Sequence, residues 1–217
     1  MARLERPTQK SSNPAQKFLE WKSNKKSFSF YDKEKGENVE VALPVKFMFL
    51  EHYHNVKGWS DSAQSGMYSN EVYAISTQPL NVKLFKGGNI ATGLYKEIKD
   101  QVLRSGGKYH RSVYIVLEDG TMANLQLKGS AVAEYSEFYK NNNHLFDTKW
   151  IEINSTVDGK KGSISFSSPE FTMGSAISKA DDKVAIEKAK ELQEYINNYT
   201  SDSNPSILEA EEVDLPI

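Results

Sequence analysis

Glu51-His52-Tyr53-His54 sets two imidazoles two residues apart, which on a strand shares one face between them, and Asp61 follows as a carboxylate. Two histidines with one distant carboxylate lack the third close ligand that a metal-dependent hydrolytic site requires, so surface or hydrogen-bonded strand histidines explain the pattern more simply. A metal-dependent nuclease built on His52 and His54 is the enzymatic alternative. Gly87-Gly88-Asn89-Ile90-Ala91-Thr92-Gly93 precedes a helix and could offer backbone N–H groups to a phosphate, but it lacks the Lys-Ser/Thr ending of a Walker loop. Neither a Gly-x-Ser-x-Gly elbow nor a Gly-x-Gly-x-x-Gly fingerprint occurs. With no cysteine, thiolate nucleophiles, disulfides, Fe–S clusters and thiolate zinc sites are excluded. These residues predict a chain without catalytic centre, cofactor or metal.

A third constellation is better placed for binding. Ser112–Leu117 and Thr121–Leu127 read as strands around Glu118-Asp119-Gly120, a three-residue hairpin loop whose third position favours a left-handed glycine. That loop length sets Leu117 opposite Thr121, Ile115 opposite Ala123 and Val113 opposite Leu125, whereas a two-residue loop would set Ile115 against Asn124. The other face then gathers Lys108, His110, Ser112, Tyr114, Met122, Asn124, Gln126 and Lys128. Lys83 and Phe85 on a preceding strand, and Trp150 on a later one, have matching parity, and Arg111 adds a cation beside them. Binding a single-stranded nucleic acid needs cations for phosphates and aromatic faces for bases, and this face has both. Phe85 and Trp150 have the alternative of packing under the terminal helix or the N-terminal hairpin, and Tyr114 is the preferred stacking residue. Trp59 and Tyr68, in a Gly/Ser/Asn-rich loop read over Asn55–Asn70, either clamp bases or plug one end of the fold.

The remaining elements must position these groups. Residues 1–26 carry Arg3, Arg6, Lys10, Lys17, Lys22, Lys25 and Lys26 against Glu5 and Glu20, and predict a flexible basic arm. Phe28–Tyr31 and Val39–Leu43 form a hairpin, and Val45–Tyr53 another strand. Leu80, Val82 and Leu84 alternate as a strand with one buried face. Leu94, Ile98 and Val102 mark a helix over Gly93–Arg104, and Val132, Tyr135, Phe138 and Tyr139 a second over Ser130–Lys140. A hairpin pairs Lys149–Thr156 with Gly162–Ser167 around Val157–Lys160, with Ile151, Ile153, Ile164 and Phe166 inward. From Asp181 a helix of about 20 residues carries Ala185, Ala189, Leu192, Ile196 and Tyr199 as one stripe, capped by Ser178 and Asp181, and docks on the body.

Strand, hairpin, helix, hairpin is the order of a five-stranded Greek-key OB barrel. Leu80–Phe85, Lys108–Leu117, Thr121–Leu127, Lys149–Thr156 and Gly162–Ser167 would be its strands, with the helix Gly93–Arg104 inserted after the first. The expected fold class is mainly β with accessory helices: an OB barrel over residues 27–200, decorated by an N-terminal hairpin and a C-terminal helix over 181–200.

The formal net charge of −2 conceals a division. Residues 201–217 hold five acidic residues and no Lys or Arg, while the other 200 keep all 27 basic residues against 24 acidic ones. The body is therefore cationic and the terminus an acidic disordered tail. That tail ends Glu209-Ala210-Glu211-Glu212-Val213-Asp214-Leu215-Pro216-Ile217. It resembles the acidic tail of bacterial single-stranded DNA-binding proteins, which closes with carboxylates, an aliphatic residue, Pro and an apolar terminus. That family usually ends in Phe, so Ile217 is a departure. The resemblance covers the last seven to nine residues by motif and the body by topology alone, and its decorated barrel fits a bacteriophage relative. It implies that Glu211, Glu212, Asp214, Leu215, Pro216 and Ile217 recruit replication, recombination and repair proteins and compete with single-stranded DNA for the basic groove. A phage structural or protein-interaction module, assembling through the helix at Asp181, is the second reading. No apolar run is long enough to span a bilayer and Met1–Lys10 lacks a signal-peptide segment, so a cytoplasmic protein is expected, monomeric or dimeric.

Overall fold

The computed structural model describes residues 12–201. Met1–Lys10 of the expected arm and the tail residues Glu211, Glu212, Asp214, Leu215, Pro216 and Ile217 lie outside the described residues. The described residues form eleven strands, all in one mixed sheet, and three α-helices, a mainly β fold with accessory helices. The spatial order begins with a meander, β3 (Glu37–Val41), β2 (Ser27–Asp32) and β1 (Lys17–Lys22). It continues through β9 (Met122–Lys128), β8 (Gly107–Leu117) and β4 (Val45–Ser60) to β5 (Ser65–Ser69), β6 (Leu80–Leu84) and β7 (Asn89–Gly93). The hairpin of β10 (Lys149–Lys161) and β11 (Ile164–Ala176) joins through β10 to the start of β4.

The central hairpin forms in the register its loop dictates. Val113 pairs with Leu125 and Ile115 with Ala123, Leu117 N–H donates to the Thr121 carbonyl at 2.9 Å, and Gly120 adopts φ 78°. The inward set builds the main core with Leu19, Trp21, Phe28, Phe47, Ile151, Ile153 and Phe171, closed by α2 (Ser130–Asn142) through Ala131 and Tyr135. A second core lies under β5 to β7, where Val56, Met67, Leu80 and Val82 meet Ile98 and Val102 of α1 (Tyr95–Arg104).

Several expectations are corrected. Residues 12–26 are not an arm: β1 runs parallel to β9, pairing Leu19 with Leu125, and both Leu19 and Trp21 are buried in the core. The alternation of Leu19 and Trp21 against Phe18, Glu20 and Lys22 is a strand pattern that the surrounding lysines disguise. Asn55–Asn70 is not a long loop but the end of β4, a turn and β5. Its Gly and Ser residues are needed where chains approach closely, as at Gly58, where a Cβ would stand 2.3 Å from the Gly106 carbonyl oxygen. The hairpin of β10 and β11 continues past Val157–Lys160 and turns at Gly162 (φ 62°), so Ile164 is 70% exposed and Phe171 with Met173 take the inward places. Leu80–Leu84 is a strand, but it pairs with β5 and β7 rather than with β8, whose neighbours are β4 and β9.

The terminal helix α3 (Lys179–Ser201) docks on the outer face of β4, β8 and β9. Ser178 Oγ donates to the Asp181 carboxylate at 2.7 Å and accepts from Asp181 N–H at 3.2 Å, a reciprocal cap. Leu192 and Tyr195 are buried against Tyr114 and Met122, and Val184 and Ala185 pack near Trp150, Val116 and Met48. The Tyr199 side chain lies outside the described residues. Among the described residues, no helix is long and apolar enough to cross a membrane.

Candidate nucleic-acid interface

The outer face of the central sheet divides in two. On the half under α3, Tyr114 is fully buried, its hydroxyl donating to the Glu71 carboxylate at 2.8 Å and accepting from Asn13 at 2.9 Å. Trp150 is also buried there, with the Lys46 ammonium 4.8 Å from its ring centroid. Neither can stack on a base in this structure, a correction with one cause: the apolar stripe of α3 needs an apolar seat, and Tyr114, Met122, Val116 and Trp150 provide it. Asn124 pairs with Tyr114 across the hairpin and is equally buried, bonded to Gln126 at 2.5 Å. Arg111 points to the opposite face, 5.8 Å from the Tyr135 ring centroid and against His54. Parity decides this, because Arg111 pairs with inward Leu127.

Beyond α3 the same face is not covered by that helix, and the register aligns the other expected residues, of which Tyr68 and His110 are themselves buried. One rung crosses four strands: Lys108 pairs with Lys57, Lys57 with Tyr68 and Tyr68 with Lys83. Neighbours on such a rung have Cβ atoms about 5 Å apart. The next rung sets Lys128 beside His110. On the other side Trp59 pairs with Gly66, over which the Phe85 ring lies, since a Cβ at Gly66 would be 2.4 Å from a ring carbon. Phe85 stacks on Tyr68 with centroids 4.9 Å apart and planes at 13°. Trp59 is 44% exposed. The structure thus gathers Lys83, Phe85, Lys108, His110, Lys128, Trp59 and Tyr68 from four separate parts of the chain.

Two members escape sequence reasoning. Lys57 stands in the middle of the lysine rung, and Phe18, 40% exposed on β1, has the Lys57 ammonium 5.8 Å from its ring centroid. Parity with Trp59 points to Lys57; Phe18 lies in a segment whose many lysines give it the composition of an arm. Burial lowers the Lys57 pKa, opposed by the charges of Glu71 and Glu20. Burial alone would raise the Glu20 carboxyl, but the hydrogen bond from Lys22 and the charges of Lys22, Lys128 and Lys57 hold it below the usual range. Among the described residues no carboxylate lies within salt-bridge distance of Lys83, Lys108 or Lys128. His110 is held near a pKa of about 4, chiefly by burial, with Lys57 and Lys128 adding to the effect, and its Nδ1 lies 3.0 Å from the Lys108 carbonyl. At neutral pH His110 is therefore uncharged, and it adds no cation to the lysines of this face.

His52 and His54 face inward between the two cores. His52 Nδ1 meets the Tyr135 hydroxyl at 2.9 Å, while His54 meets the Tyr109 hydroxyl and the Arg111 guanidinium. Burial first, then the Arg111 charge, lowers both to about 4. Among the described residues no group of three or more His, Asp or Glu is placed to hold a metal. Gly87 and Gly88 form the turn between β6 and β7, with φ 92° and 105°. No family model matches the chain, and no curated protein or solved structure was found similar to it.

Tyr114 gives a direct test of the division. Tyr114→Phe should lower stability by about 1–2 kcal/mol through the lost bonds to Glu71 and Asn13. Tyr114→Ala should cost roughly 3–5 kcal/mol through the cavity beneath α3. Denaturant melts of the two variants check both figures.

Proposed function

We propose that the protein binds single-stranded DNA without catalysing a reaction, coating and protecting it during replication, recombination or repair. The observation that carries the reading is the rung Lys108, Lys57, Tyr68 and Lys83, in which Tyr68 is itself buried and stacked by Phe85, flanked by the exposed Trp59 and by Lys128. Lysines spaced along a sheet neutralise successive phosphates, and aromatic faces accept bases with little sequence preference, each stacked base contributing about 1–3 kcal/mol.

The strand order supports an OB-type barrel in which β4, rather than β6, takes the first place. β4, β8 and β9 lie side by side and antiparallel, α2 follows β9, and β10 returns to the start of β4. β4 is 16 residues long and bulged between Phe49 and Glu51, so it can bend to serve both β8 and β10. The gap between β1 and β11 is bridged by Trp21 Nε1 donating to the Ser167 carbonyl at 2.7 Å, where a closed barrel would carry a ladder.

In this reading the acidic tail recruits partner proteins through Leu215, Pro216 and Ile217, and Glu211, Glu212 and Asp214 compete with DNA for the lysine rung. The protein would act in the bacterial cytoplasm as a phage-encoded component. Fluorescence anisotropy with labelled oligo-dT tests this. Binding should be strong at low salt, weaken as salt rises, and tighten when residues 205–217 are removed; absence of binding by the tail-deleted protein at low salt sinks the reading. A protein-interaction module predicts no salt-dependent affinity and an oligomer that grows with concentration.

A further inference from the structure

A cleft of about 890 Å³ opens beside the lysine face, between the turn after β1 and the far end of the hairpin of β10 and β11. Its size lies within the range of small-ligand sites. Its floor is Trp21, fixed by the indole bond to Ser167, while the Ser167 N–H donates to Ser23 Oγ at 2.7 Å. Phe166 lies flat on Gly159, where a Cβ would stand 2.5 Å from the ring, so the half-buried ring has one face against backbone and lines the cleft. Ser167, 3% exposed and also lining the cleft, keeps a hydroxyl without a hydrogen-bond partner. A buried hydroxyl left unpaired is costly unless a ligand or water completes it.

The charges point to an anion. Lys22, Lys26, Lys128 and Lys160 line the cleft with Asp158; Lys22 is paired with Glu20 at 2.9 Å and Lys26 with Asp158, while Lys128 and Lys160 have no carboxylate within salt-bridge distance among the described residues. Lys26 Nζ bonds Asp158 at 2.8 Å, tying the turn after β1 to the hairpin across the mouth. Both side chains are more than half exposed, so the tie is weak and sensitive to salt. Lys128 belongs to both places, being paired with His110 on the sheet face and present in the cleft lining.

We propose that this cleft is a second nucleotide subsite, where a strand leaving the sheet face seats one base against Phe166 and its phosphate between Lys128 and Lys160. The proposal rests on the sheet-face reading above and extends it to a position that the lysine rung does not reach. The Lys26–Asp158 pair is the latch that a phosphate displaces: Lys26 exchanges one anion for another, and the Asp158 carboxylate moves aside.

The test uses the full chain with oligo-dT of increasing length at low salt. Phe166→Ala should weaken binding roughly tenfold for oligonucleotides long enough to reach the cleft and leave the shortest binders unchanged. Lys160→Ala, on an exposed side chain, should reduce the salt dependence by about one phosphate contact for the same long oligonucleotides. Asp158→Asn should tighten them by roughly threefold. Wild-type affinity and salt dependence in both Phe166→Ala and Lys160→Ala, with binding still weakened by Trp59→Ala, overturns the cleft and leaves the sheet face standing. No binding by the wild-type protein at any length removes both.

Discussion

Replacing Lys83, Lys108 and Lys128 together by alanine should lower the salt dependence of oligo-dT binding by about two units of log K against log salt, because each phosphate contact to a single strand contributes about 0.7. Wild-type and variant affinities should diverge most at low salt and converge as salt rises. The loss should come without unfolding: the three side chains are exposed or half-buried, and none is ion-paired among the described residues. Trp59→Ala should behave differently, costing about 1–3 kcal/mol of affinity with little change in salt dependence, since stacking releases no counterions. Gly66→Ala should resemble a stacking loss, because its Cβ displaces the Phe85 ring from Tyr68. The sheet-face reading fails if the triple lysine variant keeps the wild-type salt slope.

Acid should destabilise the protein well above the range where carboxylates titrate. His52, His54 and His110 are each held near a pKa of about 4 by burial, against an ordinary value of 6.5. Above pH 6.5 both folded and unfolded chains carry these rings neutral, and stability is fully present. Below pH 6.5 the unfolded chain takes up protons that the folded chain refuses, so stability falls until the pH reaches about 4. Each ring accounts for about 2–3 kcal/mol, and the pair His52 and His54, 6.3 Å apart, will not add fully. The total is on the order of 5 kcal/mol, comparable to the stability of many domains. Glu20 and Asp119, whose carboxyls are held low, extend the loss to more acid pH. Urea melts between pH 7.5 and 4.5 measure the slope; a flat profile would exclude the buried neutral histidines. His110→Gln should remove about one proton from that slope while leaving the inward pair in place.

How much of this was legible depended on distance along the chain. The central hairpin and the capped start of α3 follow from neighbouring residues: Gly120 supplies the left-handed turn, and Ser178 reaches three residues to Asp181. Local geometry of that kind needs no knowledge of the rest of the fold. The partnership of β1 with β9, by contrast, joins Leu19 to Leu125, and nothing near Leu19 names its partner. The same holds for β4 and β8, which pair across an intervening β5, β6, β7 and α1.

The candidate site shows the same boundary at finer scale. Alternation placed Tyr114 and Lys108 on one face, and they do share it. Which half stays open was decided by α3, whose apolar stripe buries Tyr114 and Trp150 and stops short of the lysine rung. A strand's period of two distinguishes its faces but contains no information on what will cover either one. By itself the sequence determined the register of the central hairpin, the amphipathic helix and the separation of a basic body from an acidic end. The tertiary structure alone decided that four lysines and the four aromatic rings of Phe18, Trp59, Tyr68 and Phe85 converge beside a cleft, because that convergence depends on long-range strand pairing and on which apolar surfaces cover one another.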